Sequence, residues 1–396
     1  AGDGETALDV LTAITDELVS GRWANLLPYD VPRVFEMIDD LSQVFIEAVL
    51  TAELTESERN EWEDRLTEWD TQFDYYMGGE STFLAAADAA TQSWDDPRVQ
   101  QAMAGELDEG AFWEDDDAWY GDNIVTARLS LLERDGRTEE YLNLAAAANQ
   151  SEAYARMLVQ EDRIEEAVDY AIERFSTPDT ALELAKTLRA HDETQAALQV
   201  AEHGLTLDGY RKEALAAWLR DRAASAGNRE LAVEAAITAF EVSPSMRTFE
   251  AVKELTDEDW NAIKADLLES LRTERPGGSS ATQVVEVFLA EGEYDDAIDL
   301  AERTERTSVI EPVVEAVIEK RPQWVMRMCK SQAEPIIEQG QYDSYQTAVR
   351  WFRRAGEASR TADELDEWRE YVETMRDDHY QKYKLRPMLD DLLEEF

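Results

Sequence analysis

Apolar residues recur at helical spacing along almost the whole chain, in segments separated by short polar turns. Residues 288–304, FLAEGEYDDAIDLAERT, show the unit most plainly. An apolar run ends at Gly292, Tyr294 follows two residues later, and Ala297 and Ile298 open the next apolar face. Glycine permits the positive φ that terminates a helix. Tyr294 is placed to pack beneath the turn, and Ala297 is small enough for the second helix to lie close against the first. The pattern predicts a helix hairpin.

Aligned on Gly292, the pattern recurs at six further positions, each with a residue pair five and six places on. These are Gly136 (Tyr141-Leu142), Asp162 (Ala167-Val168), Asp192 (Ala197-Leu198), Gly227 (Ala232-Val233), Asp257 (Ala262-Ile263) and Gly340 (Tyr345-Gln346). Gln346 breaks the apolar pair in the last copy. The anchors fall 26, 30, 35, 30, 35 and 48 residues apart, bracketing the tetratricopeptide period of about 34. GEYDDAI at 292–298 and AGNRELAVEAAITAFEVSP at 226–244 resemble that family closely. The expectation is an all-α fold: an α-solenoid of seven degenerate tetratricopeptide-like helix hairpins with an N-terminal helical capping domain.

Before the repeats, residues 5–19 place Ala7, Leu8, Leu11, Ile14, Leu18 and Val19 on one helical face. A loop with Pro28 and Pro32 precedes a helix over 33–52 that is apolar at Val34, Phe35, Ile38, Leu41, Phe45, Ile46, Val49 and Leu50. Thr55 with Glu58 three residues on predicts a capping box. The helix it starts carries Trp62, Leu66, Trp69, Phe73 and Tyr76 at helical spacing, read as core. Gly78-Gly79 ends it, and shorter helices are expected over 81–93 and 97–105. The expected divisions are an N-terminal helical domain at 1–105, a first solenoid part at 106–275 and a C-terminal part at 276–396. The last break falls at Pro276-Gly277-Gly278-Ser279-Ser280, a hinge or a long loop.

Charge changes the picture of the surface. Acidic residues outnumber basic ones 88 to 38, for a net charge of −50, yet 44% of residues are hydrophobic, too many for a disordered acidic tail. Only eight of the basic residues are lysine. This combination reads as adaptation to molar salt, where the screening length shrinks to about 3 Å and like charges cease to repel across helices. The lone Cys329 can form no internal disulfide and is read as a small apolar residue. No run approaches a membrane span and no leader pattern is present, so a soluble cytoplasmic protein is expected. The opening Ala1-Gly2-Asp3-Gly4, without an initiator methionine, is read as the start of a fragment.

Catalytic patterns are absent: no HExxH, no Gly-rich phosphate loop, no GxSxG and no Cys/His zinc pattern. His191, His203 and His379 are scattered, the first two read as solvent-edge positions. The acidic stretch FWEDDDAWYGD at 112–122 lacks the spacing and central glycine of a calcium loop. No enzyme, metal or cofactor is expected. The local exception to the acidity is 320–360, with eight basic residues against four acidic. A second cluster, His379, Lys382, Lys384 and Arg386, is interleaved with Tyr380 and Tyr383. These cations either contact an acidic partner or nucleic acid, or pair with carboxylates on adjacent helices.

The stretches AEPIIEQGQYDSYQTAVRWFRRAGEAS at 333–359 and DELDEWREYVETMRDDHYQKYKLRPMLDDL at 363–392 resemble the helical region that follows the zinc finger in archaeal and bacterial SWIM zinc-finger proteins. The likeness covers about 280–396 best, and the zinc motif CxCx(n)CxH is missing. The resemblance implies a non-catalytic interaction module that acts with DNA-repair, recombination or helicase-like ATPase partners, without implying a DNA contact for these residues. The leading expectation is a scaffold whose concave face, lined by the first helices of the hairpins, grips a protein partner. A second contact is placed on Arg327, Lys330, Arg350, Arg353, Arg354, Lys382, Lys384 and Arg386, with Trp324 and Trp351 as aromatic anchors. The alternative is direct nucleic-acid binding through 320–386.

Overall fold

A computed structural model describes residues 4–20, 31–77, 83–113, 118–256, 259–274 and 280–396. The side chains of 31–40, 73–77, 118–120 and 274 lie outside that description. Among the described residues the regular structure is helical, with no strand. The chain divides into two compact units, Ala1–Tyr210 and Arg211–Phe396.

Unit one opens with α1 (Gly4–Val19), α2 (Val31–Thr51), α3 (Glu56–Met77), α4 (Leu84–Thr91) and α5 (Pro97–Met103). Helices α6 (Ala118–Arg134), α7 (Thr138–Ala147), α8 (Ser151–Gln160), α9 (Ile164–Arg174), α10 (Pro178–Ala190) and α11 (Thr194–Leu205) follow. Each packs on its neighbours one and two places along the chain, so the stack grows by adding hairpins. Unit two continues with α12 (Lys212–Ser225), α13 (Arg229–Val242), α14 (Met246–Leu255), α15 (Trp260–Glu274), α16 (Ser280–Glu291), α17 (Tyr294–Glu302) and α18 (Thr307–Val317). It closes with α19 (Pro322–Gln339), α20 (Tyr345–Ala362), α21 (Leu365–Asp378) and α22 (Leu385–Glu395). Both units are built as all-α, solenoid-type stacks of helix hairpins.

One turn is used repeatedly. Gly136, Asn149, Asp162, Asp192, Gly227 and Gly292 all have φ between 58° and 79°. The residue after each has φ between −81° and −92° and ψ between 57° and 81°. Its N–H donates to the carbonyl five residues back at 2.8–2.9 Å, the Schellman closure, and the next helix begins at once. Asp and Asn tolerate the left-handed conformation better than other side-chain-bearing residues, which explains their alternation with glycine. Gly340 has the same positive φ, at 72°, and Asp257 lies outside the described residues. Asn149 is an additional member.

Five residues beyond the turn, Tyr141, Ala167, Ala197, Ala232 and Ala297 are all buried. The expected copy at 257 departs from this, because Ala262 is exposed. The inner face of α15 is instead Trp260, Ile263, Leu267 and Leu271. Gln346 is also exposed, beside buried Tyr345, which accounts for the polar residue there.

The long interval between Gly292 and Gly340 holds a hairpin that the spacing hides. Helix α18 turns into α19 at 318–321 without a positive φ. Lys320 and Arg321 both donate to the Val317 carbonyl, at 2.9 and 2.7 Å, and Pro322 starts α19. A further Schellman turn at Asp363 (φ 59°) joins α20 to α21, and α21 and α22, connected through 379–384, pack together as a final hairpin. The period drifts accordingly. Side-chain contacts between equivalent helices join residues 34 apart at Arg247–Glu213, 26 apart at Thr282–Ser308 and Arg321–Asp295, and 41 and 42 apart at Gln323–Glu364 and Arg353–Glu395.

In the N-terminal helices the capping box forms: the Thr55 N–H and hydroxyl donate to Glu58 Oε2 at 2.7 and 2.6 Å. The inner stripe of α1 differs from expectation. It runs Leu8, Leu11, Thr15 and Leu18, while Ile14 is 40% exposed. Trp62, Leu66 and Trp69 enter a cluster with Phe45 and Phe83, and Arg65 lies over both Trp62 and Trp69. That cluster includes Ile124, Ala127 and Leu131 of α6, so the capping helices share one core with the first repeat helix rather than separating at 105. In unit two one core runs from Ala236 to Leu393, across the division expected at 275. Residues 275–279 of the expected linker lie outside the described residues, as do 114–117 of the acidic stretch.

Candidate functional site

The cations singled out in the sequence lie on α19, α20 and α22 and in the connection at 379–384, and the structure sorts them by what each one touches. Trp324 is buried and its Nε1 donates to Glu302 Oε1 at 2.9 Å. Trp351 is buried too, with the Arg354 guanidinium over its ring. Neither ring is available as an exposed anchor. Arg354 bridges Glu311 and Glu315 at 2.5 Å, tying α20 to α18. Arg353 donates to both oxygens of Glu395 at 3.0–3.1 Å, tying α20 to α22. Lys382 donates to the Ile337 carbonyl near the end of α19, which also accepts from the Gly340 N–H at 3.1 Å.

The remaining cations are differently placed. Arg350 is exposed and donates to Thr347 Oγ1 at 3.1 Å, with no carboxylate partner among the described residues. Arg386, also exposed, makes no side-chain hydrogen bond or ion pair among them. Lys384 lies over the Tyr342 ring at 3.3 Å and Lys330 over Tyr371 at 4.0 Å. The same device holds Lys320 over Tyr294 at 4.0 Å. Tyr294 and Tyr342 each sit two residues after a left-handed glycine, so a later lysine stacks on the tyrosine of two separate turns. Tyr342 escapes a search for charge, although GQYD at 340–343 repeats the GEYD of 292–295.

Two surfaces result. The first is at the C-terminal ends of α19 and α21, where Tyr342, Tyr380 and Tyr383 are 47%, 64% and 77% exposed around Lys384 and Arg386. His379 at its edge is held below the ordinary histidine range by burial and then by Lys382, so it is neutral near pH 7. The second is an open cleft of about 470 Å³ beside the first turns of α19 and the start of α21, lined by Gln323, Met326, Arg327, Lys330, Glu334 and Glu364. Burial, and then the hydrogen bond to Glu334 at 2.6 Å, push the Tyr371 hydroxyl well above the ordinary tyrosine range. It stays a donor and fixes Glu334 at the cleft wall.

Elsewhere the titratable groups do not converge. His191 is exposed at a turn, whereas His203 is half-buried with an enclosed Nε2 rather than at a solvent edge. Cys329 is buried and its thiol is pushed up to about 12 by that burial. Among the described residues no group of three His, Cys, Asp or Glu side chains is arranged to hold a metal, and no helix is long and apolar enough to cross a membrane.

Fold and surfaces together define a helical-hairpin repeat protein with one basic, tyrosine-rich end on its second unit. No protein-family model and no curated protein matches the chain. Among solved structures it is similar to one titled "Circular tandem repeat protein with novel repeat topology and enhanced subunit contact surfaces", at 16% identity over 99% of this chain and 96% of that one, with a TM-score of 0.17. The assignment to hairpin repeats rests on the turns and packing described above.

Proposed function

We propose that this chain is a non-catalytic scaffold that docks an acidic protein partner on the tyrosine-rich end of unit two. The observation that carries the reading is local. In a chain of net charge −50, exposed tyrosines lie beside Lys384 and Arg386, two cations that make no ion pair among the described residues. Tyrosine and arginine at a desolvatable patch are the residues that dominate protein interfaces. The resemblance of 280–396 to the helical region of SWIM zinc-finger proteins supports a helicase-like or recombination-linked ATPase as the partner class. The acid excess and the scarcity of lysine support a molar-salt cytoplasm as the working environment, where a stacked, partly apolar contact survives screening better than exposed ion pairs.

The test is affinity capture of the tagged chain in molar KCl, with and without nuclease, alongside a Tyr383→Ser, Lys384→Glu, Arg386→Glu variant. A stoichiometric protein that survives nuclease and is lost with the variant supports the scaffold. A variant that retains its partner removes this patch, and recovery of nucleic acid alone replaces the reading with direct nucleic-acid binding. Because Arg353 and Arg354 join helices, they are left unaltered.

A further inference from the structure

The cleft beside α19 lies away from the tyrosine patch, on the turns of the same helix that precede it. From Lys330 to Gln339 the helix rises about 14 Å at 1.5 Å per residue, so the two surfaces are separated by a distance that an extended segment of about five residues covers. Arg327 and Lys330 stand one turn apart on α19, a spacing that brings side chains together on one face. The Arg327 side chain is 70% exposed and reaches Glu302 only at 3.6 Å, on the oxygen that already accepts Trp324 Nε1. Lys330 rests on the Tyr371 ring and faces no carboxylate hydrogen-bond partner among the described residues. Its ammonium therefore keeps donors free toward the cleft. Met326 lines the cleft as an apolar side chain, 7% exposed.

The acids of the cleft are arranged differently from its cations. Glu334 accepts from Tyr371 and Glu364 accepts from Gln323 at 3.3 Å. Both carboxylates are thus held in place on the lining. We propose that this cleft seats one acidic side chain of the docked partner between Arg327 and Lys330, and that Glu334 and Glu364 reject a partner with consecutive acids. This rests on the scaffold reading and names a specificity within it.

The reporter is the Trp324 indole N–H, hydrogen-bonded to Glu302 next to Arg327. In an NMR titration of the full chain with side-chain-labelled tryptophan, assigned by Trp324→Phe, three synthetic peptides are compared. One carries a single central Glu among Gly, Ser and Gln; the second has Gln in its place; the third has five consecutive Glu. The single-Glu peptide is expected to shift the Trp324 signal with at least tenfold higher affinity than either other peptide. Arg327→Gln with Lys330→Gln should abolish that difference, while Lys384→Glu with Arg386→Glu leaves it intact. Equal affinity for the single-Glu and Gln peptides overturns the proposal, as does tightest binding of the five-Glu peptide. Displacement of the single-Glu peptide by an oligothymidylate would overturn it in favour of a phosphate-binding cleft. Loss of partner capture with an unchanged peptide preference would instead count against the scaffold reading alone.

Discussion

The hairpins turned at Gly136, Asp162 and Asp192 in unit one and those of residues 318–396 in unit two solve the same packing problem by different means. In the first set the backbone does most of the work. A left-handed residue closes each turn, and small Ala167 and Ala197 sit at the helix contact. The second set closes two of its turns in the same way, at Gly340 and Asp363, and adds large side chains that bridge longer helices: Trp324 to Glu302, Arg354 to Glu311 and Glu315, and Arg353 to Glu395. Turns that specify their own geometry leave the side chains of neighbouring repeats free to vary. Hairpins joined by side chains hold their cations in defined places, which is why the candidate surfaces occur there.

Truncating the largest side chain of the second set gives the largest expected effect. Trp368 on α21 is fully buried, its ring 4.8 Å from Phe396. Trp368→Ala should cost about 3–5 kcal/mol, the usual range for a large aromatic in a core. Urea unfolding in high KCl measures it. A cost below 1 kcal/mol would mean that the terminal hairpin is not integral to unit two. In the first set the corresponding insult is the opposite one, adding bulk. Ala167→Leu places a branched chain where the residue is fully enclosed and should cost about 1–3 kcal/mol.

Next comes the turn itself. A Cβ built on Gly136 would meet nothing within 4 Å, so a substitution there reports backbone conformation alone. Gly136→Ala should cost about 1–2 kcal/mol, the left-handed penalty of an L-residue. A neutral result would show that the turn relaxes and that the comparison between backbone-made and side-chain-made hairpins is overdrawn.

The first set was legible in the sequence because its determinants are local. Gly and Asp are residues that accept a positive φ, and the alanine five places after Asp162 and Asp192 follows from close helix approach. The turn at 318–321 was not, because Lys320 and Arg321 adopt ordinary φ and the closure depends on one shared carbonyl. Ile14 was misplaced for a related reason. A stripe at 8, 11, 15 and 18 and one at 8, 11, 14 and 18 differ by one residue, and the buried member is a threonine. The charge of 320–386 was visible, yet not its division into paired and unpaired cations. The partners lie 22 to 45 residues away, at separations set by the drifting period.

The smallest effect at neutral pH, and the one that separates the two sets most cleanly, comes from Cys329. It is the single cysteine of the chain and is buried in α19. Burial raises its thiol to about 12 in the folded protein, against about 8.5 for a free cysteine. Between these values the folded state binds the proton that the unfolded state has released, so stability falls as pH rises from about 8.5 toward 12 and is unaffected below. The same burial leaves the native thiol without the thiolate needed for alkylation. At pH 8, labelling should therefore proceed only through opening of the last hairpins. Iodoacetamide labelling followed by mass spectrometry should be accelerated by Trp368→Ala in the same core and left unchanged by Ala167→Leu in unit one. Equal acceleration by both would show that the units open together, and that the contrast between locally closed turns and bridged helices does not extend to how the protein unfolds.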